Sequence, residues 1–183
     1  MIRNIAEYLA GHPFFAGLDT VSVAELAGCA RNEHYRTGDY LFREGGTAEH
    51  FYVVTRGRIA LELSSPGTGS QILDSAGKGE VLDWPWLIPP HRWFFDARAV
   101  EPTSVVSLNS ACLRGKCDAD PALCCELLHR VAQVMSQRLQ ATRVRLMDLY
   151  GPPAAPGAAA WPGTATASGG SPAVGTAAGR EPA

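Results

Sequence analysis

Residues 38–63 read GDYLFREGGTAEHFYVVTRGRIALEL, and the spacing of their apolar side chains decides the fold. Tyr40 and Phe42, then Phe51 and Val53, then Ile59, Leu61 and Leu63 recur at every second position, the period of a strand with one face buried and one face wet. Glycines punctuate these runs at Gly38, Gly45, Gly46 and Gly57, and again downstream at Gly67, Gly77 and Gly79. Glycine tolerates the left-handed backbone of tight turns, so the pattern predicts short antiparallel strands joined by tight turns. At roughly 8–12 residues per strand such an array closes into a small sandwich or barrel. Phe94–Ala99 and Thr103–Leu108 continue it beyond an aromatic, proline-rich insert, WPWLIPPHRW, at residues 84–93.

Outside the strands the period lengthens. Residues 3–10 and 21–30 predict short helices, because Ile5 and Leu9, then Val23, Leu26 and Ala27, stand three to four apart, with Asp19 and Thr20 as candidate caps. Pro121 opens a long helix that runs to Tyr150, capped by Asp118 or Asp120 and stopped by Gly151-Pro152-Pro153. Along it Cys125, Leu128, Ala132, Met135, Leu139, Thr142, Leu146 and Leu149 alternate at spacings of three and four, a heptad seam. An amphipathic stripe of this kind either packs on the chain's own β core or pairs with another helix. Three heptads exceed what a small roll covers. The helix is therefore expected to pack its N-terminal part on the roll and to pair in parallel with its copy in a homodimer, with Leu128, Met135, Leu139, Thr142, Leu146 and Leu149 at the interface. Arg130, Arg138, Arg143 and Arg145 flank the seam as solvated charges.

The bulk composition sets bounds on function. With 183 residues, 46% of them hydrophobic, and a net charge of -2, the chain reads as an ordinary globular protein. Residues 151–183 are almost all Gly, Ala, Pro, Ser or Thr and predict a disordered tail, leaving one domain over 1–150, with a β-roll at about 31–110 and the C-helix at about 121–150. No stretch reads as a membrane span or a secretory signal, so a cytoplasmic protein without membrane attachment is expected. Five cysteines, an odd number without a CxxC pair, point to reduced thiols. Basic residues concentrate only along the long helix, and no helix-turn-helix pattern follows it, so direct DNA binding is not expected. The five histidines share no metal-ligand spacing, and GxSxG, Walker A and HExxH motifs are absent. The expectation is a protein that is not an enzyme and holds no metal.

The run FFAGLDTVSVAELAGCARNEHYRTGDYLFREGGTAEHFYVVTRGRIALELSS, residues 14–65, resembles the start of cyclic nucleotide-binding domains of the Crp/Fnr regulator type. The segment RVAQVMSQRLQATRVRLMDLYG, residues 130–151, is similar to that family's dimerising C-helix. The resemblance covers about residues 13–150 and implies a mainly β fold with flanking helices: an antiparallel β-roll of the double-stranded β-helix or jelly-roll kind, with N-terminal helices and a long C-terminal dimerisation helix. Its turn glycines match Gly38, Gly45, Gly57 and Gly79.

The family also implies a pocket for a cyclic nucleotide, cyclic AMP or cyclic GMP. Its phosphate cassette carries Gly-Glu at a strand end, a short helix, and then an Arg followed by a small residue. Helix amides and the Arg receive the phosphate, and the Glu accepts from the ribose hydroxyl. Here the segment reads GKGEVLDWPWLIPPHRWFFDARAV, residues 77–100. Anchored on Glu80, it puts Asp83 and Trp84 in place of Gly-Glu and Trp93 in place of the Arg, with Arg92 one residue away. An Asp83 cap before Pro85 would act as a built-in anion at the site where a phosphate docks. Thr142 matches a family Thr that reaches the base, and Arg143 follows it. Trp84, Trp86 and Trp93, with Phe94 and Phe95, either line a pocket for a flat ligand or fill the space a nucleotide has left. The candidate ligand-binding set is thus Glu80, Asp83, Trp84, Trp86, Arg92, Trp93, Thr142 and Arg143. The expected function is a regulatory ligand-binding module with a degenerate phosphate cassette, acting through a protein partner; the alternative is a roll without ligand that serves dimerisation or protein interaction.

Overall fold

Alternating apolar side chains build two four-stranded antiparallel sheets in the computed structural model, which describes residues 2–65, 69–82 and 84–150. The strands are β1 (Ala30–Tyr35), β2 (Tyr40–Phe42), β3 (His50–Arg56), β4 (Ile59–Ser65), β5 (Gly69–Ala76), β6 (Val81–Leu82), β7 (Asp96–Ala99) and β8 (Thr103–Asn109). One sheet has the order β1-β8-β3-β6 and the other β2-β7-β4-β5, so nearly every neighbour is distant in sequence. Phe51, Val53 and Val106 from the first sheet and Leu61, Ala76 and Ala97 from the second share one core. The turn from β3 to β4, which carries the chain from one sheet to the other, needs glycine at Gly57: its φ is 87°, and a Cβ there would lie 2.7 Å from the Pro102 carbonyl. Within the second sheet, buried Glu62 of β4 pairs with Arg98 of β7, and that guanidinium holds the carboxyl below its usual range.

Among the described residues four helices frame the roll: α1 (Ile5–Ala10), α2 (Thr20–Gly28), α3 (Ser110–Ala119) and α4 (Pro121–Tyr150), with a 3-10 turn at Pro13–Phe15. Asp19 caps α2, accepting from the amides of Val21 and Ser22 at 2.9 Å each. Asp120, one of the two candidates, caps α4 by accepting from Ala122 and Leu123. Helix α3 goes beyond the sequence reading. It carries a glycine and three charges in ten residues, and only Leu113 and Cys117, four apart, join Ser110 in being buried. Asn109 caps it directly at the end of β8, leaving no loop to mark its start.

The reduced-thiol expectation is corrected. Cys29 and Cys112 form a disulfide across 83 residues, with Cα atoms 5.7 Å apart, while Cys117, Cys124 and Cys125 are free. Sheet register brings the pair together. Ala30 of β1 faces Leu108 of β8, and the Asn109 amide donates to the Cys29 carbonyl at 2.9 Å, so the residues flanking both strands become neighbours.

Helix α4 docks through a different stripe from the heptad seam. Leu123, Leu127 and Val131 are buried, and Val134 is half-buried against the core. Of the seam, Leu128 and Thr142 are exposed, Leu139 and Leu146 are 53% and 46% exposed, and Met135 is half-buried. The Leu149 side chain and the tail at 151–183 lie outside the described residues.

His12 ties the lead-in to the roll. Its buried imidazole accepts from the Phe14 amide through Nδ1 at 3.2 Å, and Nε2 donates to the Gly79 carbonyl at 3.1 Å, a pattern only the neutral ring satisfies. Burial lowers its pKa below the ordinary 6.5. With the folded value below the unfolded one, this contribution to stability is complete above about pH 6.5 and is lost as the pH falls from there toward the depressed folded value. Urea midpoints are expected to drop between about pH 7.5 and 5.5, and His12→Gln should flatten that drop. An equal drop in the variant would assign the effect elsewhere.

Candidate functional site

The insert at residues 84–93 is folded inward by its own aromatics. Trp86 is fully buried, its ring 5.4 Å from that of Phe51, and its carbonyl accepts from Arg114 at 2.7 Å. Trp93 is 3% exposed and lies flat on Phe42, with ring centroids 3.5 Å apart and planes 6° from parallel. Its backbone is clamped by the turn before β3: the Gly45 amide donates to the Trp93 carbonyl and the Trp93 amide to the Gly46 carbonyl. Phe94, by contrast, is exposed. Two tryptophans of this segment thus belong to the core.

The remaining candidates are scattered. Arg92 is exposed and donates to the Gly45 carbonyl at 2.7 Å, bracing the turn that clamps Trp93. Trp84 is half-buried and borders a small apolar gap with Phe51 and Val131. Thr142 donates back to the Arg138 carbonyl within α4, and Arg143 is exposed. Glu80 sits in the β5–β6 turn, where its carboxylate accepts from the Gly77 amide at 2.5 Å. Asp83 lies outside the described residues.

A cavity of about 590 Å³ opens elsewhere, between α4, the β5–β6 turn and the lead-in around His12 and Phe14. Among the described residues Glu80 is the one predicted ligand residue on its wall. Among the described residues the other charged groups on it are Arg58, Arg130, Arg138, Arg145 and Asp74, and Arg130 also pairs with Glu126 at 2.5 Å.

Three of these arginines, read from sequence as solvated flanking charges, reach across to the body of the domain. Arg130 donates to the Ala16 carbonyl at 2.7 Å, Arg138 to that of Val81 at 2.7 Å, and Arg145 to that of Leu73 at 2.9 Å. Arg145 also pairs with Asp74 at 2.9 Å. Spacings of eight and seven residues put the three on one side of α4, a pattern visible in the sequence but overshadowed by the apolar seam beside it. Arg58, at the start of β4, donates to the Ser75 hydroxyl at 3.3 Å. Among the described residues no group of His, Cys, Asp and Glu is placed to hold a metal, and no helix is long and apolar enough to cross a membrane.

Residues 32–120 match the cyclic nucleotide-binding domain family. The structure is similar to that of a cyclic nucleotide-binding protein from Geobacter metallireducens GS-15, with a TM-score of 0.68 and 29% identity over 76% of this chain and 99% of that one. It is also similar to the N-terminal domain of a transcriptional regulator from Streptomyces coelicolor A3(2), with a TM-score of 0.59 and 28% identity over 73% of this chain and 93% of that one. A form of the cGMP-dependent protein kinase isozyme 2 of Drosophila melanogaster is 22% identical over 78 residues, 42% of this chain and 8% of the kinase, so the match spans a small part of that relative.

Proposed function

Residues 32–120 belong to the cyclic nucleotide-binding domain family in its Crp/Fnr-type form, and from this we propose that the chain is a regulatory, non-catalytic module whose roll interior has ceased to take a cyclic nucleotide in the family's manner. The burial of Trp93 against Phe42 carries the reading. In the resemblance Trp93 stands where the phosphate Arg would be. A cationic donor is replaced by a stacked indole that occupies the space instead of lining it. Expelling it into water would cost about 2–3 kcal/mol. That is roughly a hundredfold penalty on any ligand that must displace it.

The exposed seam on α4 supports the regulatory half of the reading. Leu139 and Leu146 present apolar surface on the side of the helix away from the roll, as a pairing helix requires, and a second copy in parallel is the proposed occupant. The filled interior equally favours the narrower reading of a dimerisation and protein-interaction roll.

Calorimetric titration of the wild-type protein with cyclic AMP, cyclic GMP and cyclic di-GMP is expected to give no saturable heat. Asp83→Gly combined with Trp84→Glu and Trp93→Arg is expected to create affinity for cyclic AMP in a variant that keeps its circular dichroism. Micromolar binding of any of the three by the wild type would overturn the filled-interior reading. A monomer in sedimentation equilibrium would remove the seam from it.

A further inference from the structure

We infer that the Cys117 and Cys124 thiols, which meet at the joint between α3 and α4, are an oxidation site that closes into a second disulfide by exchange with a small-molecule disulfide. The site stands apart from any ligand of the roll and from the Cys29–Cys112 bond. Three observations carry it. Both thiols are free, Cys117 buried and Cys124 half-buried against the core. The Cys117 thiol lies within hydrogen-bonding reach of the Cys124 thiol, so little backbone movement separates the pair from disulfide geometry. The joint between the helices is a single residue, Asp120, whose amide ends α3 by donating to the Lys116 carbonyl at 2.9 Å and whose carboxylate caps α4.

The two thiols differ in access, and the difference orders the chemistry. Cys124 is the one that solvent reaches, so its thiolate attacks one sulfur of the incoming disulfide and expels the other half as a thiolate. Cys117 is shielded: burial, then the neighbouring Cys124 thiol and the carboxylates of Asp118 and Asp120, hold its thiol well above the ordinary range and keep it protonated. It reacts only with the mixed disulfide held beside it, where proximity offsets the small thiolate fraction. Its sulfur attacks that of Cys124, the second small thiolate leaves, and the Cys117 proton passes to that thiolate. One external disulfide is thereby reduced to two thiols as the pair loses two hydrogens. The Cys29–Cys112 bond already fastens α2 to α3. The second bond carries the covalent link on to α4 and fixes the angle at which the long helix leaves α3.

Glutathione disulfide is the probe, applied to the full chain as Cys125→Ser, because the exposed Cys125 thiol would otherwise react on its own. Trypsin cuts after Lys116 and Arg130, so one peptide, 117–130, carries both sulfurs. That peptide is expected to lose two hydrogens, with two glutathione thiols released per chain. Adding Cys117→Ser should stop the reaction at a glutathionyl group on Cys124, with one thiol released. Should that second variant fail to fold, the peptide mass from Cys125→Ser decides alone. In the oxidised chain the Cys124 amide, which donates to the Asp120 carbonyl at 3.0 Å, should exchange its hydrogen severalfold more slowly. A lasting glutathionyl group on Cys124 while Cys117 is present would overturn the inference. So would a peptide that stays unmodified, or one in which Cys124 has exchanged into the bond of Cys112. Unchanged exchange at the Cys124 amide after the bond has formed would overturn the link to α4. None of these outcomes bears on whether the roll takes a cyclic nucleotide.

Discussion

Trp86→Ala is expected to destabilise the domain by about 3–5 kcal/mol, the usual cost of deleting a large aromatic from a closed core. The side chain is fully buried and packs on Phe51, which in turn contacts Phe14 and Phe15 of the lead-in, so the cavity left would lie where the insert, the roll and the N-terminal segment meet. Against a typical domain stability of about 5–15 kcal/mol, this is a large fraction. Trp86→Phe provides the control. The indole N–H is buried with no hydrogen-bond partner among the described residues, so phenylalanine keeps most of the apolar contact and removes an unsatisfied donor. Its cost should be about 1 kcal/mol. Urea unfolding followed by circular dichroism measures both. A shift below about 1 kcal/mol for Trp86→Ala would mean that the insert is not part of the core, and the argument for a filled roll would lose its support.

Removing the Cys29–Cys112 disulfide is expected to cost about 4 kcal/mol, because the bond closes a loop of more than 80 residues and so restricts the unfolded chain strongly. The bond also fastens the end of α2 to the first turn of α3, and α3 leads directly into α4. Its loss should therefore loosen the lead-in and the long helix before the sheets. Paired Cys29→Ser and Cys112→Ser changes should lower the thermal midpoint and make it insensitive to a dithiol reductant. The wild-type midpoint should fall toward the same value when that reductant is added. Cys117→Ser should retain the full wild-type response to reductant. A wild-type midpoint indifferent to the reductant would show that the bond does not contribute in solution.

The parts of this fold that were legible in the sequence are those set by near neighbours in the chain. Ile59, Leu61 and Leu63 alternate because a strand's side chains alternate. Gly57 sits where no Cβ fits, and Asp19 caps α2 because its carboxylate reaches the second and third residues after it. Helix α3 was less legible because it lacks a leading loop and is anchored by few apolar side chains. The candidate site was harder still. Trp93 could be read either as a pocket wall or as its filling, and its 3.5 Å stack on Phe42, 51 residues away, is a contact that no local pattern reveals.

The sequence alone therefore determined the antiparallel roll, its helical lead-in and the long closing helix, since each follows from period, turn glycines or caps acting over a few residues. Tertiary structure decided that Cys29 meets Cys112, that α4 docks through Leu123, Leu127 and Val131 and leaves the seam of Leu139 and Leu146 exposed, and that Arg130, Arg138 and Arg145 reach carbonyls of the domain body. A helix carrying an apolar stripe beside a basic one has two faces able to dock. Which face turns inward depends on the shape of a surface built from strands far away in the chain.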